Sequence, residues 1–133
     1  MSESLINELS GHVLGAAIEV HRALGPGLLE STYELCLSQE LSLQDIPFER
    51  QWELPVKYKG VQLDCGYRID LFVDARIVVE LKAVDTVKDL HKAQLMTYMK
   101  LLECELGLLI NFNVPMLVDG ITRVAMGAPN LHQ

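Results

Sequence analysis

GYRIDLFVDARIVVELKA, residues 66–83, is the part of this sequence that decides the fold. From Val61 on, odd positions carry Val61, Leu63, Cys65, Tyr67, Ile69, Leu71 and Val73, and even positions carry Gln62, Asp64, Gly66, Arg68, Asp70 and Phe72. That alternation predicts a half-buried strand. After Asp74-Ala75-Arg76 it resumes with Ile77, Val79, Leu81 and Ala83 on one face and Val78, Glu80 and Lys82 on the other, which predicts a hairpin partner. A loop of residues 74–76 sets Val73 against Ile77, and therefore Asp70 against Glu80 and Arg68 against Lys82.

Both of those opposed pairs carry like charges, which destabilises a strand pair. A divalent cation held by Asp70 and Glu80 would offset the repulsion, because hard cations such as Mg²⁺ take carboxylate oxygens. Lys82, on the face of Glu80, would then aim its ammonium at whatever the metal holds. The competing reading is a solvated polar face that binds nothing. A two-residue loop would place Asp70 and Glu80 on opposite faces and remove the metal reading.

The 133 residues fit one domain, residues 1–133, with half of them hydrophobic. No window approaches the roughly 18 apolar residues of a membrane span. The N-terminal MSESLINELS lacks the basic run and apolar core of a signal peptide, so a cytoplasmic protein is expected. Cys36, Cys65 and Cys104 are odd in number and far apart, which argues for reduced packing thiols over a disulfide framework. The net charge of −7 counts against avid nonspecific binding of nucleic acid, where Lys and Arg contacts to phosphate dominate. Two divalent ions in a carboxylate cluster would offset part of it.

Upstream, Ser4 can cap a helix whose apolar residues Ile6, Leu9, Val13, Ala17, Val20 and Leu24 recur at spacings of three and four. Gly25-Pro26-Gly27 ends it. His12 and His21 have no second ligand at metal spacing and read as packing or solvent residues. A second helix is expected over residues 28–43, with Glu30 and Tyr33 on one face. Glu30 near the helix start suits the macrodipole, and catalysis is the other reading of it. Asp45-Ile46-Pro47 breaks that helix, and Phe48, Arg50, Trp52, Leu54, Val56 and Tyr58 then alternate as a strand joined by Lys59-Gly60 to the hairpin. Trp52 and Tyr58 read as core or sheet-face aromatics. With Arg50, Lys57 and Lys59 nearby, the alternative is a nucleic-acid surface.

Beyond Ala83, Asp85-Thr86 is expected to cap a third helix with Val87, Leu90, Gln94, Tyr98 and Leu101 on one stripe and Leu95, Met99 and Leu102 on a second. Gln94 and Tyr98, four apart, are neighbours in an otherwise apolar stripe. Lys88, Lys92 and Lys100 form the largest basic grouping, open to either a solvated face or phosphate contact; His91 could also reach a substrate. Residues 106–112 form a continuous apolar run that predicts a central strand buried on both faces. An edge strand follows around residues 121–125, and the tail from Gly127 is expected to fray. The order α α β β β α β β describes an α/β or α+β domain with a mixed sheet.

With these residues in place, the chain resembles the PD-(D/E)xK nuclease superfamily, and within it the small bacterial and archaeal proteins grouped as the GxxExxY family. The name-giving motif stands as Gly27-Leu28-Leu29-Glu30-Ser31-Thr32-Tyr33. The RecB-type signature is matched by Glu30, by Asp70 in Gly66-Tyr67-Arg68-Ile69-Asp70, by Glu80-Leu81-Lys82 and by Gln94-Leu95-Met96-Thr97-Tyr98. The glycine precedes Asp70 by four positions, one more than the G-x-x-D spacing. The resemblance implies a restriction-endonuclease-like core and a Mg²⁺- or Mn²⁺-dependent phosphodiesterase acting on nucleic acid, DNA ahead of RNA. It implies that Glu30, Asp70 and Glu80, with the Leu81 carbonyl, hold the metal and that Lys82 acts on the reacting phosphate or water. It gives Gln94 and Tyr98 a supporting or substrate-contacting role. The alternatives are an interaction module that keeps the fold without catalysis, and a nuclease active only in a complex, as a homodimer or with a protein partner.

Overall fold

In the computed structural model, which describes residues 3–126, the chain runs α1 (Glu3–Leu24), α2 (Glu30–Leu43), β1 (Phe48–Tyr58), β2 (Val61–Val73), β3 (Ile77–Lys82), α3 (Asp89–Leu102), β4 (Leu106–Asn111), a 3₁₀ turn (Leu117–Gly120) and β5 (Ile121–Ala125). The five strands form one sheet in sequence order, antiparallel except for the parallel pair β3 and β4, whose crossover is α3. This is the mixed α+β sheet of a restriction-endonuclease-like core. No described helix is long and apolar enough to cross a membrane.

The sheet is covered on both faces. On one, α1 and α2 bury Ile6, Val13, Ala17, Val20, Tyr33, Leu37 and Leu41 against Leu71, Val73, Ile77, Val79, Leu81, Leu108 and Ile110. On the other, Leu95, Tyr98 and Met99 of α3 pack on Leu54, Ile69, Phe72, Val78 and Leu109. Two-sided coverage explains why every residue of β4 is buried and why its sequence is a continuous apolar run. Gly107 lets α3 approach this strand closely, since a Cβ there would stand 2.5 Å from Met99 Sδ.

Three expectations change here. The half-buried alternation of residues 61–73 gives way to side chains buried on both faces at the C-terminal end of β2, while residues 61–68 and most of β1 are exposed. The outer part of the β1–β2 hairpin is largely uncovered, so Tyr58 stands out in solvent, while Trp52 and Tyr67, also exposed, keep ring contacts with Phe72 and Tyr98. The odd positions also do not share one face, since Ile69 packs under α3 whereas Leu71 and Val73 pack under α1 and α2. The switch falls at Asp70. Third, α3 begins at Asp89 after Lys88, beyond the expected Asp85-Thr86 cap. Asn111 explains the delay: its Oδ1 accepts from Val84 N–H at 3.0 Å and its Nδ2 donates to Val84 O at 2.8 Å, holding the chain out of helix.

His12 is exposed and His21 is buried with its Nε2 2.8 Å from Val114 O, so both fit packing or solvent roles. Cys104 is a buried thiol whose pKa burial, followed by the Glu105 charge, pushes up to about 11. Cys65 departs from the packing expectation because it lies on the projecting hairpin and is exposed. The fraying expected from Gly127 falls outside the described residues.

Candidate active site

The β2–β3 turn is the three-residue one. Asp74 and Ala75 take φ of 52° and 53°, Arg76 N–H donates to Val73 O at 2.9 Å, and Val73 pairs with Ile77. The ladder continues through Phe72 with Val78 and Leu71 with Val79, and its register stops there. At the next position side chains replace the backbone acceptors. Asp70 N–H donates to Glu80 Oε2 at 2.8 Å, and Leu81 N–H donates to Asp70 Oδ2 at 2.8 Å. The two acids therefore face each other across an opened strand pair, each fixed by the other strand's backbone. The expected apposition of Arg68 with Lys82 is not part of the ladder. Beyond the opening Arg68 turns away, donating to Tyr67 O at 3.0 Å and standing 3.6 Å from Glu53.

Two carboxylates so placed cannot both remain ionised without cost. Glu80 is 7% exposed, and its pKa is raised to about 8 by burial first and by the Asp70 charge second. The Lys82 cation lowers it and the Glu30 carboxylate raises it, which places both charges in the field of Glu80. In the metal-free protein a proton on Glu80 is thus what relieves the like-charge repulsion.

Glu30 reaches the same strand end from α2. The connection between α1 and α2 turns through Gly25 (φ 71°) and Gly27 (φ 96°), a left-handed backbone that glycine adopts without penalty. Tyr33 secures this turn, its hydroxyl donating to Gly25 O at 2.6 Å and accepting from Leu28 N–H at 3.1 Å. Its ring, fully buried, stacks on Phe112 with centroids 4.3 Å apart. Gly27 and Tyr33 are therefore the scaffold that sets the first residue of α2, Glu30, beside β3, where Glu30 Oε2 accepts from Ala83 N–H at 3.3 Å. Among the described residues no three His, Cys, Asp or Glu side chains close into a metal cage. Asp70 and Glu80 form the inner pair, with Glu30 at the rim.

Gln94 and Tyr98 approach from α3. Tyr98 is 6% exposed, and its pKa is raised by burial and then by the charges of Glu80, Tyr67 and Asp70. Its ring lies 6.0 Å from that of Tyr67. Gln94 and Tyr98 also line a groove of about 530 Å³ between α3 and the hairpin, with Val56, Tyr67, Leu90 and His91. Lys88, Lys92 and Lys100 are exposed. His91 has a local task, since its Nδ1 accepts from Lys88 N–H at 3.1 Å in the first turn of α3.

Four contributors were not singled out from sequence for a part in the site. Glu34 lies one turn beyond Glu30 and is buried, with Oε2 held by Arg50 Nε at 3.0 Å and Oε1 by Gln51 Nε2 at 2.6 Å. Arg50 is thus tied to an internal carboxylate rather than kept free for phosphate. Gln51 Nε2 also reaches Asp70 Oδ1 at 3.3 Å. Asn111 fixes the segment after Lys82 through Val84. The available signals were the four-residue spacing of Glu30 and Glu34 on a helix and a polar residue closing the apolar run LGLLIN.

A family model described as the PD-(D/E)XK nuclease superfamily matches residues 7–124, from within α1 into β5. No curated protein and no solved structure matches the chain.

Proposed function

We propose that this chain, which belongs to the PD-(D/E)XK nuclease superfamily, hydrolyses phosphodiester bonds in nucleic acid, DNA ahead of RNA, with a divalent cation held at Asp70 and Glu80. The observation that carries the proposal is the reciprocal bonding of these two acids across the opened ladder, which fixes them face to face with Lys82 on the same strand. The donor set suits Mg²⁺ or Mn²⁺. It comprises the Asp70 and Glu80 carboxylates, Glu30 at the rim and the Leu81 carbonyl. Leu81 N–H points at Asp70, and a strand residue's N–H and C=O share an edge, so that carbonyl opens onto the same gap. Hard cations take such all-oxygen sets. Burial first and the Asp70 charge second raise the Glu80 carboxyl to about 8, a cost of ionisation that a bound cation would offset.

When bound, such an ion polarises the scissile phosphate and lowers the pKa of water. The chain's own residues do the rest. Glu80 would lose its proton to solvent on becoming a ligand, and Lys82 would set its ammonium against the negative charge that develops on the phosphate in the transition state. Tyr98, in the field of Glu80 and Asp70, and Gln94 line the groove between α3 and the hairpin and contact the substrate there. The lysines along α3 offer phosphate contacts, few enough with a net charge of −7 that substrate binding depends on the metal or on a partner subunit or protein. The roles of Gly27, Glu30 and Tyr33 agree with placement in the GxxExxY group.

The test is cleavage of single- and double-stranded DNA and RNA by the purified chain with Mn²⁺ or Mg²⁺, run beside Lys82→Ala. Lys82→Ala should lose roughly two or more orders of magnitude in cleavage rate, the scale of one preorganised charge-stabilising donor. It should keep the rise in thermal stability on adding metal, because a cation is not a ligand. Equal cleavage by both proteins would remove Lys82 from the site. If the wild type cleaves none of these substrates alone, the interaction module or the partner-dependent enzyme takes its place.

A further inference from the structure

We infer that Gln51 is a positioning residue for Asp70, an inference that rests on the reading of Asp70 as a metal ligand. Six described non-glycine residues have positive φ, and five of them lie in turns or at the ends of helices. Gln51, at φ 51°, is the one inside a strand. The left-handed region disfavours side chains with a Cβ, so a glutamine held there needs compensating contacts. It has two. Its Nε2 carries two hydrogens, one donated to Glu34 Oε1 at 2.6 Å and one to Asp70 Oδ1 at 3.3 Å.

The position coincides with a gap in the pairing of the sheet, although the register on either side of it is unchanged. β1 pairs with β2 at Arg50 with Leu71 and at Trp52 with Ile69, and the pair between them, Gln51 with Asp70, is skipped. β2 switches faces at the same point. A left-handed residue in β1 thus lies against the opened position in β2, and its amide reaches the carboxylate exposed there. Glu34 fixes that amide in turn. It is buried and is braced by Arg50 through Nε at 3.0 Å and through an ion pair at 3.0 Å. The result is a relay from α2 through Gln51 to Asp70 Oδ1, while Leu81 N–H holds Oδ2. Both oxygens of Asp70 are oriented before any ligand arrives, and such outer contacts set the affinity of a metal site.

Two substitutions separate this role from a structural one. Gln51→Gly removes the amide and also the steric conflict of the left-handed backbone. Gln51→Asn keeps a side chain that tolerates this backbone but falls one methylene short of bridging both acids. Binding of Mn²⁺ alone to the full chain is read by calorimetry, and the thermal midpoint of the metal-free protein is read separately. Both variants should bind Mn²⁺ about tenfold more weakly or worse, the scale for loss of an outer contact. Their metal-free midpoints should match or exceed that of the wild type for Gln51→Gly and stay close to it for Gln51→Asn. Mn²⁺ affinity within twofold of wild type in either folded variant overturns the inference. Asp70→Asn is run alongside. If it loses affinity while the Gln51 variants do not, the metal reading stands and only the inference fails; if it binds as the wild type does, the metal reading fails as well.

Discussion

Raising the pH should strengthen metal binding steeply, and Glu80 sets the slope. Its carboxyl ionises at about pH 8 in the folded chain instead of 4.5, because it is buried and beside Asp70. A cation needs the ionised form, so binding at neutral pH must expel a proton. At about pH 7 a group with that pKa is roughly one-tenth ionised, and at about pH 6 roughly one-hundredth, so apparent affinity should fall about tenfold per unit below pH 8. Calorimetry with Mn²⁺ in two buffers of different ionisation enthalpy should find close to one proton released per site at about pH 6.5. The same group gives the metal-free protein the opposite trend. A folded-state pKa above the unfolded one means that the native chain binds more protons, so this stability is fully present below about 4.5 and is lost as pH rises through about 8. The loss is on the order of 5 kcal/mol for this buried group. Glu80→Gln should abolish both slopes. Mn²⁺ affinity that stays within twofold between about pH 6 and 8 in the wild type would refute the reasoning, since Glu80 would then not be a ligand that binds through loss of a proton.

Two further outcomes follow from the same contacts. Adding Mn²⁺ or Mg²⁺ should raise the thermal midpoint of the wild type through preferential binding to the folded state, and the Asp70→Asn, Glu80→Gln double variant should lose that response in a thermal scan; an equal rise in both proteins would place the ion elsewhere. Tyr33→Phe removes the hydroxyl shared by Gly25 O and Leu28 N–H, and urea denaturation should register a loss of about 1–3 kcal/mol, whereas no change would mean that the turn before Glu30 is held by its glycines alone.

The elements were legible in the sequence because each carried a period: three-four spacing in α1, alternation near the β2–β3 turn and an unbroken apolar run in β4. The placement of the candidate residues Asp70 and Glu80 was legible for a different reason. Once the loop was counted as residues 74–76, pairing arithmetic alone put them opposite each other, and Leu71 with Val79 confirms that count up to the neighbouring position. Hidden from this arithmetic was that the ladder opens at the next step. Alternation describes a regular strand, and nothing in the letters of Arg50-Gln51-Trp52 announces a left-handed residue, because glutamine is an uncommon choice there. The same break moved Ile69 to the face opposite Leu71. Burial of the outer hairpin was misjudged because periodicity gives the orientation of side chains but not the reach of the helix that covers them. The role of Asn111 depends on where Val84 ends up in space, a long-range contact that local spacing does not encode.

The opened ladder also gives the two acids of the candidate site a structural part. Two backbone donors, Asp70 N–H and Leu81 N–H, have no carbonyl across from them and are satisfied by Glu80 and Asp70 instead. A buried donor left without an acceptor costs roughly 1–3 kcal/mol, so truncating either acid to alanine would destabilise the fold along with the site. An amide of the same shape keeps a carbonyl oxygen that can accept the same hydrogen bond, and it also removes the repulsion that raises the Glu80 pKa. Asp70→Asn and Glu80→Gln should therefore hold or gain stability above neutral pH in the absence of metal while losing the ligand charge. Amide variants more stable than the wild type would mean that two carboxylates are kept together at a cost in the free chain, the cost that the proposed cation would offset.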